Sequence, residues 1–230
     1  MAEGLVLVVG SLRYSSWSMR AWLALTHVGA SFSTKTMPLL TGEGWKQNLL
    51  SESPTGKVPV LVVGGQRIHE SLAICEWANE RFPEAQLWPV DAMARARARS
   101  VSLEMATGFG QIREHLSCHD RARVSRFVPD TNTLAEIQRV QQLWDDCLQA
   151  SGGPYLFGHF SIADCMYVPM TSRFRTYNIA LGSPAAEYAA ALWAQPAVQA
   201  WQREAKQAPA IPHWDDYILS LGGDPEAGLT

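Results

Sequence analysis

Every run in this chain that reads as a β-strand falls within its first 70 residues, and from Asp91 onward no stretch reads convincingly as a strand. A chain that mixes strands with helices and then turns wholly helical builds one small layered unit and a separate helical body. Leu5–Val9 is a short apolar run closed by Gly10 and is expected to be a strand buried on both faces. A loop over Ser11–Ser16 leads into a helix at Trp17–Val28, stopped by Gly29. Ser31–Met37 alternates and is expected to be the second strand. Residues 38–56 read as irregular, with a short helix near Trp45–Leu50. Val58–Val63 and Gln66–His69 flank Gly64-Gly65, a hairpin signature, because paired glycines supply the positive φ of a primed turn. A helix from Ser71 to Phe82 ends before Pro83.

The expected organisation is a βαβ-ββα domain over 1–82, a linker over 83–91 that carries Pro83 and Pro89, and an all-helical domain over 92–230. Helices are expected at 92–118, 132–150, 162–177, 184–194 and 197–207, and the polar, glycine-rich tail from Gly222 is expected to fray. Ser161 followed by Asp164 reads as a capping box opening the third of these helices.

With 47% hydrophobic and 18% charged residues, the 230-residue chain can bury a core in each part. A net charge of −3 argues against a nucleic-acid binder. The basic Arg95, Arg97 and Arg99 alternate with alanine and would fan around a helix. Met1–Gly4 has no basic leader signal, and no stretch approaches the ~18 apolar residues of a membrane span, so a cytoplasmic protein is expected. Cys75, Cys118, Cys147 and Cys165 are widely spaced without a C-x-x-C pair, which fits free thiols in a reducing compartment. His115 and His119 lie four apart, but the H-E-x-x-H order is absent and no metal is expected.

Three stretches carry the chemistry: Ser11-Leu12-Arg13-Tyr14-Ser15-Ser16-Trp17-Ser18-Met19-Arg20, Gly56-Lys57-Val58-Pro59, and Ile68-His69-Glu70-Ser71. In this order and spacing they resemble the glutathione-binding half of the glutathione transferase superfamily. The S-S-x-S-x-R run is most similar to the zeta class, which includes maleylacetoacetate isomerases. The resemblance implies a thioredoxin-like first domain with a cis bond at Val58-Pro59, glutathione as cosubstrate, and a homodimer.

Glutathione is an acidic tripeptide with a reactive thiol, so its site needs a clamp, an edge and a thiolate stabiliser. Glu70 and Ser71 suit the clamp: Glu70 can pair with the ligand's α-amino group, and Ser71 can add a hydroxyl bond. The same pair would also serve as a plain helix cap. Lys57, Val58 and Pro59 suit the edge, where Val58 would offer its backbone N–H and C=O. Ser15 and Ser16 precede a helix; Ser15 is expected to meet the thiol and Ser16 to cap the helix. No cysteine stands between Ser11 and Arg20, so mixed-disulfide chemistry has no nucleophile there.

The resemblance further implies that Gln111 reaches glutathione, and that Arg173 or Arg175 meets a substrate carboxylate. The expected activity is attack of a glutathione thiolate on a small electrophile between the two domains. A maleylacetoacetate isomerase is the alternative enzyme, and there Trp17 replaces the cysteine of the zeta pattern. A non-catalytic glutathione-binding protein of the same fold is the third reading.

Overall fold

The structure is a computed structural model describing residues 4–39 and 42–229. The leader reading at Met1–Glu3 and positions 40–41 of the irregular stretch lie outside the described residues. The first part runs β1 (Leu5–Val9), α1 (Ser16–His27), β2 (Phe32–Thr36), α2 (Trp45–Glu52), β3 (Val60–Val63), β4 (Gln66–His69) and α3 (Ser71–Arg81). Its sheet has the order β2-β1-β3-β4. β1 is parallel to β2, with α1 as the crossover that a parallel pair requires, and antiparallel to β3. Leu7, Val8 and Val9 are wholly buried, as a continuous apolar run at the sheet centre demands. β2 lies at the edge, and its polar Ser33–Thr36 are exposed. Gly64 and Gly65 both take positive φ, 53° and 81°, so the hairpin turn is of the primed kind. Val58-Pro59 is cis, as are Gly153-Pro154 and Ser183-Pro184.

The second part is all helix among the described residues: α4 (Ala92–Thr107), α5 (Gly110–His115), α6 (Thr131–Ser151), α7 (Ile162–Thr176), α8 (Ala185–Ala194), α9 (Pro196–Gln207) and α10 (Pro212–Ser220). The expected fold class is the observed one. α7 is the central post, with every residue except Arg175 buried. Its capping box is formed: Asp164 accepts from the Ser161 N–H and hydroxyl, both at 2.8 Å, and also from the Leu156 N–H and Tyr188 hydroxyl. α1 packs against α3 on its own side and against α7 and α9 across the junction, so one hydrophobic core runs through both parts.

Three expectations need correction. The helix expected over 92–118 is broken: Gly108 sits so close to the Glu104 carbonyl that a Cβ would lie 2.8 Å from it, and Phe109 takes φ 59°. α10 follows α9 where no helix is expected. The tail does not fray at Gly222. Backbone bonds join Arg123 and Asp224 in both directions, and Gly223 and Gly228 allow approach where a Cβ would meet the Arg123 and Arg121 carbonyls at 2.7 and 2.6 Å. Only glycine permits such contact.

Candidate active site

A cavity of about 720 Å³ opens between the two parts. The loop entering α1 contributes Ser15, Ser16 and Trp17; the turn before β3 contributes Lys57, Val58 and Pro59; the start of α3 contributes Glu70 and Ser71. Across from them stand Arg113, Cys118 and Arg173, with Ile211 and Trp214 closing one side. The structure thus brings Ser15, Ser16, Lys57, Val58, Pro59, Glu70, Ser71 and Arg173 to one space. Gln111 and Arg175 are not on its wall. The break at Gly108-Phe109 redirects α5, and Arg113 takes the inward position while Gln111 is only half-buried elsewhere. Arg175 is two residues from Arg173, nearly opposite on a helix, and stacks outside on Trp193 at 4.7 Å.

Between the turn before β3 and the start of α3, the first wall presents polar groups without partners among the described residues. Glu70 takes φ 69° and ψ 125°, uncommon for a residue with a side chain; its carbonyl accepts from the Ile74 N–H, but its side chain makes no capping bond to α3. Strain of this kind, about 1–3 kcal/mol, collects where a site is being shaped. Ser71 is buried, and its hydroxyl has no partner among the described residues. Plain capping therefore does not account for the pair. The Val58 N–H and C=O are likewise unbonded among the described residues, one residue before β3's neighbour Pro59. The Lys57 side chain is exposed and forms no ion pair among the described residues.

The cap expected of Ser16 is made by Ser15. Ser15 is the N-cap of α1: its oxygen accepts from the Ser18 N–H at 3.3 Å, and its hydroxyl donates to Ser18 Oγ at 2.8 Å. Ser16 is inside the helix. Its N–H donates to the Tyr14 carbonyl, and its buried oxygen accepts from Arg173 Nη2 at 3.3 Å. That leaves the Ser16 O–H proton without an acceptor among the described residues. A donor whose oxygen already accepts from a guanidinium is polarised towards giving its own proton.

Two arginines line the helical wall, with a third buried behind them on α1, and among the described residues this wall has no carboxylate. Arg173 is buried and braced by the Leu116 carbonyl and Ser16. Arg113 is braced by the Met105, Ala106 and Gly108 carbonyls. Arg20 is buried on α1, and its Nε and Nη1 have no hydrogen-bond partner among the described residues. The Trp17 ring lies under both Arg20 and Arg113, at 4.1 and 4.9 Å, in cation–π contact. Burial, and then the charges of Arg113 and Arg173, pull Arg20 from its ordinary 12.5 down to about 9. Burial also lowers Arg113 and Arg173. Uncompensated buried cations of this kind favour an anion beside them. Neither Arg20 nor Arg113 stands out in the sequence as more than a solvated charge; the final arginine of S-S-x-S-x-R is the one local signal.

Comparison with known proteins matches residues 14–81 to glutathione S-transferase, N-terminal domain, and residues 92–204 to glutathione S-transferase, C-terminal domain. A probable maleylacetoacetate isomerase of Caenorhabditis elegans is 45% identical over 93 residues, 40% of this chain and 42% of that protein. The match therefore spans less than half the length of this relative. The maleylacetoacetate isomerase of Mus musculus is 29% identical over 174 residues, 73% of this chain and 77% of the relative. The crystal structure of a glutathione transferase homologue from Burkholderia, with bound glutathione, superposes with a TM-score of 0.70 at 23% identity, covering 90% of this chain and all of that one.

Proposed function

Because the chain belongs to the glutathione S-transferase superfamily, near its zeta class, we propose that it is a glutathione transferase whose electrophile carries an anionic group. Glutathione lies with its γ-glutamyl end on Glu70 and Ser71, its cysteinyl backbone along Val58, and its sulfur at the N-terminus of α1. Ser16 donates to the thiolate, and Ser15 holds the cap. The sulfur lone pair attacks the electrophilic carbon, and the leaving group departs with its electron pair. Arg173 and Arg113 hold the anionic end of the electrophile. Glutathione is the cosubstrate, and the reading calls for no metal. Free, buried cysteines support a cytoplasmic setting, and the exposed apolar side chains of Val90, Met93 and Leu103 support a homodimer.

The observation that carries this reading is the Ser16 hydroxyl proton, without an acceptor among the described residues, in the same cavity as the Glu70 and Ser71 side chains and the Val58 peptide groups, which have no partner among those residues either. A free thiol titrates near ~8.5, and lowering it by about two units takes roughly 2.7 kcal/mol. A hydrogen bond to a charged group supplies about 1.5–3 kcal/mol, and a helix N-terminus adds about 0.3–2. No general base is needed. The test is the pKa of bound glutathione, read by thiolate absorbance in wild type, Ser15→Ala and Ser16→Ala. Ser16→Ala should raise it by about one unit, and slow turnover more at about pH 6.5 than at about pH 9, where thiolate forms unaided. Ser15→Ala should instead lower stability by about 1 kcal/mol through the lost cap. The reverse pattern returns the thiol to Ser15, and binding without turnover on any electrophile supports a non-catalytic protein.

The names of the relatives favour a second reading, glutathione-dependent isomerisation of a maleyl acid. Trp17 in place of the pattern's cysteine weighs towards transfer, and a maleyl isomerisation assay separates the two.

A further inference from the structure

We infer that Tyr14 and Asp215 are positioning residues, through which α10 holds the Ser15–Ser16 loop in the geometry that lets Ser16 meet the glutathione sulfur. This rests on the transferase reading above.

Tyr14 lines the cavity two residues before Ser16, and by position it rivals the serines as the thiol's donor. Its hydroxyl is already committed. It donates to Asp215 Oδ1 at 2.7 Å and accepts from the Ile211 N–H at 3.0 Å. Burial is the main cause that drives its ionisation far upward, so it stays neutral. The phenol therefore serves as an anchor 201 positions away in sequence from its acceptor.

The acceptor is itself fixed. His119 Nδ1 accepts from the Ala122 N–H at 3.1 Å, which puts the ring proton on Nε2, and Nε2 donates to the same Asp215 oxygen at 2.8 Å. His119 is fully buried, and burial lowers it to about 4, so it is a neutral donor. Its ring meets that of Tyr14 edge-on at 4.8 Å. The other Asp215 oxygen lies 3.5 Å from Arg13 Nη2, which also reaches the Pro225 carbonyl at 2.9 Å and Glu226 at 2.5 Å. Arg121 closes the tail contact on Glu226 at 2.9 Å.

Residues 13 and 14 are thus tied by their side chains to α10 and the tail, and the next two residues are Ser15 and Ser16. The loop between is tight: the Tyr14 and Ser15 N–H groups both donate to the Ser11 carbonyl, and Ser16 N–H donates to the Tyr14 carbonyl. Displacement of the anchor therefore moves the serines. A shift of about 1 Å at a reacting group can cost roughly a hundredfold in rate. The clamp at Glu70 and Ser71, on the β4–α3 junction, takes part in none of these bonds. The same segment supplies Ile211 and Trp214 to the cavity, so α10 both walls the site and sets its loop.

This separation gives a readout that general loosening would not produce. Tyr14→Phe, Asp215→Ala and Asp215→Asn are compared with wild type for the pKa of bound glutathione, affinity for S-methylglutathione, which has no thiol to ionise, and kcat at about pH 6.5 and pH 9. Tyr14→Phe and Asp215→Ala should raise the thiol pKa by about one unit and lower kcat about tenfold at the lower pH, with most of the loss recovered at the higher. S-methylglutathione affinity should stay within about twofold. Asp215→Asn keeps an acceptor for Tyr14 and His119 and should fall between Asp215→Ala and wild type. An unchanged thiol pKa in folded Tyr14→Phe overturns the inference, as does a parallel loss of S-methylglutathione affinity. Should Asp215→Ala not fold, Tyr14→Phe decides. A wild-type thiol pKa near ~8.5 overturns the transferase reading and this inference together; a lowered wild-type value that Tyr14→Phe leaves untouched overturns the inference alone.

Discussion

The two walls of the cavity recognise by opposite means. The first wall, from the α1 loop to the start of α3, offers single polar groups without partners among the described residues: a carboxylate, a hydroxyl, one peptide unit and a surface ammonium. It suits a ligand that brings both an amine and a carboxylate on a peptide. The charged groups that the helical wall offers are cations among the described residues, and each of its two lining arginines is already braced by backbone carbonyls or a serine. Bracing fixes the guanidinium before any ligand arrives, so less ordering is lost on binding. On the proposed reading, one wall reads a particular peptide and the other accepts an anion of suitable size.

The largest effect is expected where the walls touch, at Arg173. Arg173→Ala should lower kcat/KM for a carboxylate-bearing electrophile by about a hundredfold or more, because it removes a buried charge from a charged partner. For the neutral ester of the same electrophile the loss should be about tenfold, the cost of the bond to Ser16 alone. Equal losses with acid and ester would mean that the guanidinium serves only the serine, and the division between the walls would collapse.

A smaller effect is expected on the peptide-reading wall. Removing the charged partner in Glu70→Ala should weaken glutathione binding about ten- to a hundredfold, and Ser71→Ala, which removes a neutral donor, about three- to tenfold. Titration calorimetry measures both. Unchanged affinity in the two variants would show that the clamp lies elsewhere.

The difference between the walls also explains what the sequence discloses. The βαβ-ββα order is legible because its signals are local: an apolar run at Leu5–Val9, stops at Gly29 and Pro83, and Gly64-Gly65 in the turn. The first wall is legible for the same reason, since its residues sit in short stretches beside those stops. The helical wall depends on where α5 points, which turns on the approach of Gly108 to one carbonyl. That approach is a tertiary fact, so Gln111 is expected at the site and Arg113 is found there. α10 is a short helix of nine residues whose inward face, Trp214, Tyr217, Ile218 and the C-cap Leu221, has the helical spacing but is interrupted by Asp215 and Asp216 and buries only Ile218 fully among those described, so its signal is weak beside that of the longer helices. The tail reads as frayed because its glycines signal flexibility, whereas here they permit close backbone packing.

The smallest effect, at Lys57, tests the physical basis of the comparison. Its ammonium stands exposed beside Val58, where the carboxylate at the glycine end of glutathione would lie. An exposed ion pair contributes about 0.2–1 kcal/mol, so Lys57→Ala should weaken glutathione binding no more than about fivefold at low salt. Screening shortens from about 10 Å at 0.1 M to about 3 Å at 1 M ionic strength. Wild type and Lys57→Ala should therefore converge in affinity as salt rises to about 1 M, and Lys57→Arg should follow wild type throughout. Arg173 is buried, where salt screens poorly, so the acid-over-ester preference it confers should persist across the same range. Titrations at both ionic strengths, with electrophile kinetics alongside, set the two against each other. A Lys57 effect that resists salt would place this residue inside the desolvated site instead of on its rim. An Arg173 preference that fades with salt would mean that the anion sits in water, and the helical wall would then be no more than a charged surface.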